Sequence, residues 1–342
     1  MLIIYRMDIN NNKKCNYYIK KIEDEENNNI IHSVFYENKN ITINKKMLKE
    51  MEKYNYVEFC DDYKKPVDNL PSNITHIKFG YWFNQPIDNL PKDLQNLTTG
   101  GFFNKSVDNL PTGLKTLTFG NNFNQHVDKL PPNLINLNFG YDFNKPVANL
   151  PSNITNIKFS CNFNKPVDNL PSKTKYILFG KYFNQPVDNL PLSVEELYFG
   201  DNFNQSVDNL PNGLLTISFG WYFNQPVDNL PSTIKILSFG HKFNQSVDNL
   251  VKGLQELTIG GDAFNKPINN LPSSIQKLIL GDEFNQPLNN NLPSELKILC
   301  FGDEFNQPIC DYIPQGLEEL YLSKYYNKSL KKLPESVKVI RI

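Results

Sequence analysis

A twenty-residue period runs through most of this chain: an aromatic residue, Asn, Gln or Lys, Pro or Ser, Val-Asp-Asn-Leu-Pro, then Leu/Ile-x-x-Leu/Ile-x-Phe-Gly. A fixed period of this length marks a repeat architecture in which each unit buries its apolar face only against its neighbours. The chain is therefore expected to be a solenoid. Its 342 residues would suggest two or three domains in an ordinary globular protein, but a solenoid grows one continuous core along its axis.

The aromatic that opens each unit stands at Tyr63, Phe83, Phe103, Phe123, Phe143, Phe163, Phe183, Phe203, Phe223, Phe243, Phe264, Phe284, Phe305 and Tyr326. The step is 20 up to Phe243 and then 21, 20, 21 and 21, with single extra residues near Gly261 to Ala263, at Asn289 to Asn291 and at Asp311 to Ile313. Insertions that leave the flanking pattern intact belong in turns. Between aromatics, segments such as Ile74-Thr-His-Ile77-Lys-Phe79-Gly80 alternate apolar and polar residues, the pattern of a short half-buried strand closed by a glycine turn. Counting Val57-Glu-Phe59 and Ile340-Arg-Ile342 at the two ends gives about fifteen parallel strands. At a spacing of about 4.8 Å their stack would be on the order of 65 to 70 Å long.

Opposite each strand, Pro-Val-Asp-Asn-Leu-Pro, as in Pro186 to Pro191, carries two prolines and no helical period. The expectation is extended or polyproline-like backbone with Val187-type and Leu190-type residues pointing inward. So thin a far side implies weak curvature, with the strand twist expressed as a superhelix. Residues 1–53 lie outside the period and read as an N-terminal capping region, ahead of a solenoid over 54–342. Within that region Met47, Leu48, Met51 and Tyr54 share one helical face. Little helix is expected elsewhere.

The units read Leu-x-x-Leu-x-Phe with a following Asn and a later Leu-Pro, and eight of them open on Phe-Asn-x-Pro, at Phe83, Phe143, Phe163, Phe183, Phe223, Phe264, Phe284 and Phe305. The first pattern resembles the leucine-rich repeat. The second resembles its FNIP variant, familiar from giant DNA viruses and social amoebae. The resemblance implies a β-rich, leucine-rich-repeat-like right-handed coil. It also implies that Asn84, Asn104, Asn124, Asn144, Asn164, Asn184, Asn204, Asn224 and Asn244 form an internal structural ladder, their amides bonding the backbone of the turn.

Formal charge is −1, with 35 basic and 36 acidic residues, which excludes the basic field expected of a nucleic-acid binder. Neither a signal peptide nor a run of about 20 apolar residues occurs, so no membrane association is expected and the chain reads as cytoplasmic, in host cytoplasm if viral. Cys15, Cys60, Cys161, Cys300 and Cys310 share no regular spacing and read as reduced thiols rather than a disulfide framework or metal knuckle. His32, His76, His126 and His241 share no repeat column, and no phosphate loop or nucleophile elbow is present. No catalytic, cofactor or metal site follows. The column of Asp68, Asp88, Asp108, Asp128, Asp168, Asp188, Asp208, Asp228 and Asp248, broken at Ala148, admits two readings: turn carboxylates accepting backbone N–H groups, or ligands for calcium between coils.

Outward strand positions are left for recognition, since inward ones are committed to the core. They are small and polar in the first half and become aromatic and aliphatic from Tyr176, with Leu178, Tyr198, Ile236, Ile279, Ile298 and Tyr321. Exposed apolar positions of this kind mark contact surfaces. A second variable row after the glycine includes Trp82, Trp221 and Tyr222, readable as turn packing or as contact residues. The leading functional reading is a non-catalytic scaffold that binds a protein partner. Self-association as a homodimer through the C-terminal repeats is the alternative, and a substrate adaptor of a ubiquitin ligase is a third reading that the family resemblance implies.

Overall fold

The computed structural model describes residues 4–5, 17–23, 30–36, 43, 45–288 and 292–342. It divides into two compact units, Met1–Lys165 and Pro166–Ile342. The step at Asn289 to Asn291 and most of residues 1–42 lie outside the described residues.

In the first unit β1 (Ile4–Tyr5), β2 (Tyr17–Glu23) and β3 (Ile30–Tyr36) pair antiparallel in sequence. The helix α1 (Lys45–Met51) follows, and β3 pairs in parallel with β4 (Tyr56–Phe59). Met47 and Met51 of α1 are buried, whereas Leu48 and Tyr54 are half-buried. Asn73 of the first coil donates its side-chain amide to the Glu52 and Tyr54 carbonyls at 3.1 and 2.7 Å, which satisfies acceptors left open where α1 ends. From β4 the chain repeats in parallel register through β5 (His76–Lys78), β6 (Asn96–Thr98), β7 (Thr116–Thr118), β8 (Asn136–Asn138) and β9 (Asn156–Lys158).

The second unit continues the pattern with β10 (Tyr176–Leu178), β11 (Glu196–Tyr198), β12 (Thr216–Ser218), β13 (Ile236–Phe239) and β14 (Glu256–Ile259). It ends with β15 (Lys277–Leu280), β16 (Ile298–Cys300), β17 (Glu319–Leu322) and β18 (Lys338–Arg341). Every adjacent pair in this unit is parallel. Strands β4 to β18 are the fifteen of the repeat, and α1 is the only helix among the described residues. Both units are parallel β-solenoids.

The strands are short because the repeat alternates burial over only three or four residues: in Thr116-Leu117-Thr118 the leucine is fully buried and both threonines face out. Opposite the strands the backbone is not extended. Turns at residues 88–89 and 92–93, and at equivalent positions in most coils, fold it inward, and the Leu94 N–H closes on the Pro91 carbonyl at 3.2 Å. Tight reversal is what lets Ile87, Leu90 and Leu94 all reach the interior, at 2%, 7% and 0% exposure. Pro and Asp-Asn at these positions suit turns better than a straight polyproline segment. The extra residues at 261–263 and 311–313 also fall outside strands.

Two phenylalanines per coil make the core. Phe119 and Phe123 stack at 3.7 Å between ring centroids, and each stacks on its equivalent in the next coil, Phe139 at 5.7 Å and Phe143 at 6.1 Å. Burying one such ring contributes on the order of 1.5–3 kcal/mol. Where Thr99 replaces the strand phenylalanine, its hydroxyl accepts the Gly120 N–H at 2.9 Å, so the buried polar atom is satisfied.

The glycine that follows most strands is required by close approach. A Cβ on Gly120 would lie 1.9 Å from the Gly100 carbonyl oxygen and 2.8 Å from the Gly101 Cα, both backbone atoms of the coil beneath. Two coils carry serine there, and both hydroxyls are engaged, Ser160 with the Phe143 carbonyl and Ser323 with the Asp303 carboxylate. Gly316, by contrast, has nothing within 4 Å of an added Cβ. Gly120→Ala should lower stability by about 1–3 kcal/mol. Gly316→Ala should stay within about 0.5 kcal/mol of wild type in urea titration. Coincident midpoints for the two variants would contradict this packing.

Candidate functional site

Side chains at the first and third strand positions face outward in both units, but the two faces differ in chemistry. On the first unit the polar residues bond to one another along the column. Asn96 Nδ2 meets His76 Nε2 at 2.7 Å, Asn136 Nδ2 donates to Thr116 Oγ1 at 3.3 Å, Asn138 to Thr118 at 3.1 Å and Asn156 to Asn136 Oδ1 at 2.7 Å. Hydrogen-bonding groups engaged laterally leave less for a ligand.

On the second unit, apolar outward residues form two separate clusters. Tyr176 and Leu178 on β10 lie beside Tyr198 on β11: Leu178 is in register with Tyr198, and the Tyr176 and Tyr198 rings are 5.5 Å apart. Ile279 on β15, Ile298 and Cys300 on β16 and Tyr321 on β17 make the other, with Ile279, Cys300 and Tyr321 in one register column. Thr216, Ser218, Ser238 and Thr258 lie between them on β12 to β14. Tyr176, Leu178, Tyr198, Ile279, Ile298 and Tyr321 are each half-buried by their neighbours, while Ile236 on β13 is exposed.

Two further exposed apolar residues of this unit lie outside the strand columns. Leu192, in the turn before β11, is 80% exposed, and Leu215, just before β12, is 42% exposed. The Ile236 N–H donates to the Leu215 carbonyl at 3.1 Å, so these two lie on adjoining coils. Leu192, Leu215 and Ile236 thus belong to three successive coils. The position of Leu192 is Ser72, Thr112, Ser152, Ser172 and Ser232 in other coils, and that of Leu215 is Thr75, Lys115, Thr155, Lys175 and Lys235. These columns are mostly polar, with Pro132 in the first and Ile135 in the second as exceptions, and apolar residues in them are the signal the sequence carries.

Tyrosine hydroxyls on this face are anchored by acids two residues earlier. Tyr198 donates to Glu196 at 3.0 Å and Tyr321 to Glu319 at 2.7 Å. Burial, followed by that hydrogen bond, pushes the Tyr198 phenol up from its ordinary 10.0 to about 12. The turn row is split between the units. Trp82, at 41% exposure, belongs to the first, where it stacks on Phe102 at 4.3 Å, Tyr81 meets both rings edge-on at 5.3 Å, and the Lys64 ammonium lies 5.0 Å above the indole. Trp221 and Tyr222 belong to the second, and Trp221 stacks on His241 at 3.8 Å.

The asparagine ladder runs between coils rather than within a turn. Asn84 Oδ1 accepts the Asn104 N–H at 2.9 Å, Asn104 accepts from Asn124 at 3.0 Å, Asn124 from Asn144 at 3.0 Å and Asn144 from Asn164 at 3.0 Å. Asn184, Asn204 and Asn224 repeat the bond at 2.9 Å, with Asn204, Asn224 and Asn244 as donors. These side chains are not internal. The preceding Phe takes the inward position, so Asn projects to the flank, where Asn104 and Asn204 are exposed and the others half-buried.

A second ladder joins the Asp column to the Asn that follows it one coil later. Asn109 donates to Asp88 at 3.0 Å, Asn209 to Asp188 at 3.0 Å and Asn249 to Asp228 at 2.8 Å. Lys129 replaces that Asn in one coil, and its ammonium lies 3.6 Å from Asp108. Among the described residues no group of three His, Cys, Asp or Glu is placed to hold a metal ion.

Comparison with known proteins places this geometry. The FNIP Repeat family matches in overlapping segments from residues 64–102 to 305–342. Among solved structures the chain is similar to CroV588, a giant-virus protein described as a novel circular LRR protein, at 32% identity and a TM-score of 0.73. That match covers 90% of this chain and 59% of CroV588, so the chain spans less than two thirds of it. The functional domain of InlJ from Listeria monocytogenes shares the fold at 13% identity and a TM-score of 0.52, over 83% of this chain and 67% of that one. No curated protein matches by sequence.

The raised Tyr198 pKa has a defined sign. Between pH 10 and about 12 the unfolded chain releases a proton that the folded chain keeps, so this tyrosine's contribution to stability is intact below pH 10 and lost across that window. Tyr198→Phe should therefore lose less stability than wild type between about pH 9 and about pH 11.5 in urea titration. Equal losses would contradict the assignment.

Proposed function

This chain belongs to the FNIP repeat family, and from that premise we propose that it is a non-catalytic protein-interaction scaffold whose contact surface is the outward face of residues 166–342. The observation that carries the reading is the run of Leu192, Leu215 and Ile236 on three successive coils, apolar and exposed where equivalent coils are mostly polar. Tyr176, Leu178 and Tyr198 flank it with half-buried aromatic and aliphatic surface, the composition favoured at interface centres. A repeat scaffold offers such a surface as a row of independently variable positions. Near-neutral charge argues for protein rather than nucleic acid as the partner. We place the protein in the cytoplasm on the strength of Cys60, Cys161, Cys300 and Cys310 all being free thiols. No helix among the described residues is long and apolar enough to cross a membrane.

A second reading, self-association, is favoured by Val339 on β18 and Ile342 just after it, apolar residues exposed at 36% and 54%.

Replacing Leu192→Ser, Leu215→Thr and Ile236→Thr together restores residue types that other coils carry, so the fold should be kept. Capture of a partner from host-cell extract should fall by about tenfold or more with an unchanged melting curve. Undiminished capture would remove this surface from consideration. Self-association predicts that sedimentation velocity detects a dimer that Val339→Glu dissociates, and a monomeric wild-type chain would end that reading.

A further inference from the structure

In the turn rows that follow the strands of the first unit, an open groove of about 540 Å³ is lined by Asn84, Phe102, Asn104, Asn122, Asn124 and Asp142. Its walls follow from the repeat. The residues before and after each buried ring of Phe103 and Phe123 both project outward, so the row 102, 122, 142 faces the row 84, 104, 124 along the axis. Bulky Phe102 is followed by short Asn122 and Asp142, which leaves the strip between the rows open. In the second unit Tyr182, Asn202, Tyr222 and Lys242 occupy positions equivalent to Phe102.

The groove is built as well as open. Asn84, Asn104 and Asn124 each have Oδ1 engaged by the backbone N–H of the next coil at 2.9 to 3.0 Å, so their amide nitrogens point away from that bond as fixed donors, one per coil. Gln125 donates to Asn104 Oδ1 at 3.0 Å and further pins the middle one. Asp142 is held by Asn162 Nδ2, which donates to its Oδ1 at 3.0 Å and leaves the carboxylate with acceptor capacity. Trp82 stacks on Phe102 and Tyr81 meets it edge-on, so the ring that lines the groove is braced.

We propose that this groove binds a neutral oligosaccharide chain. A sugar ring presents hydroxyls that both donate and accept, matching a row of amide donors beside one carboxylate, and a C–H face that fits an aromatic ring. No Lys or Arg lines the groove, which argues against a phosphate-bearing ligand. Its single aromatic ring gives little purchase to an apolar peptide. The site is independent of the surface proposed above, since it lies within the first unit and that surface lies within residues 166–342.

Side-chain amide NMR signals, followed on the full chain with cellotetraose, chitotetraose and maltotetraose in parallel arms at up to about 10 mM, test it. Saturable shifts of the Asn84, Asn104 and Asn124 amides by at least one sugar are expected. Phe102→Ala should weaken that binding by about tenfold. Asn122→Phe fills the strip with a residue its own column already tolerates one coil earlier, and should abolish binding with an unchanged melting curve. Absence of saturable shifts from all three sugars would overturn the proposal, as would equal binding by wild type and both variants.

Discussion

Parallel pairing of successive coils in an unshifted register places each residue directly against its own counterpart twenty or twenty-one positions away. Everything else in the structure answers to that constraint. A residue type that stacks on itself is favoured, and one that repels itself must be bridged. Phenylalanine satisfies the first condition, giving two continuous ring columns through several coils of each unit. Glycine satisfies it in a different way, because the turn after the strand runs within about 2 Å of where its Cβ would be.

Polar columns show the second condition. Two carboxylates at about 4.8 Å repel by roughly 0.9 kcal/mol in water. Here most Asp residues of the column accept an amide proton from the Asn of the next coil, and Asp108 faces the Lys129 ammonium instead. The Phe-Asn ladder works by the same logic from the other side, since a carboxamide oxygen reaches the next backbone N–H at about the spacing the strands impose. These bonds lie on exposed or half-buried flanks, where water competes. Each therefore contributes about 0.5–1.5 kcal/mol. Their effect is to hold register and to orient the unused amide nitrogens, which is what turns a structural column into the floor of a groove beside Phe102.

Much of this was legible in the residues. The aromatic period and the alternation around Leu117 and Phe119 located the strands and core columns, because burial against a neighbour leaves a strict periodic mark. The far side is not legible as turns, since Pro-Val-Asp-Asn-Leu-Pro is compatible with extended polyproline until three inward residues such as Ile87, Leu90 and Leu94 must share one short segment. The asparagines were placed inside by likeness to leucine-rich repeats, although the adjoining Phe already occupied that direction. Leu192 was overlooked because it lies in a turn rather than in a strand column.

By itself, then, the sequence determined the repeat unit, the parallel strands, the identity of the core columns and the positions left free for recognition. Those features are set by nearest-neighbour stacking, which is periodic and so is written in every unit. Only the tertiary structure decided which breaks of the pattern come together: Leu215 against Ile236 on adjoining coils, two apolar clusters in place of one continuous face, and Phe102 braced beside a row of fixed amides. Their neighbours lie twenty residues away and on different sides of the coil, and no local pattern encodes that separation.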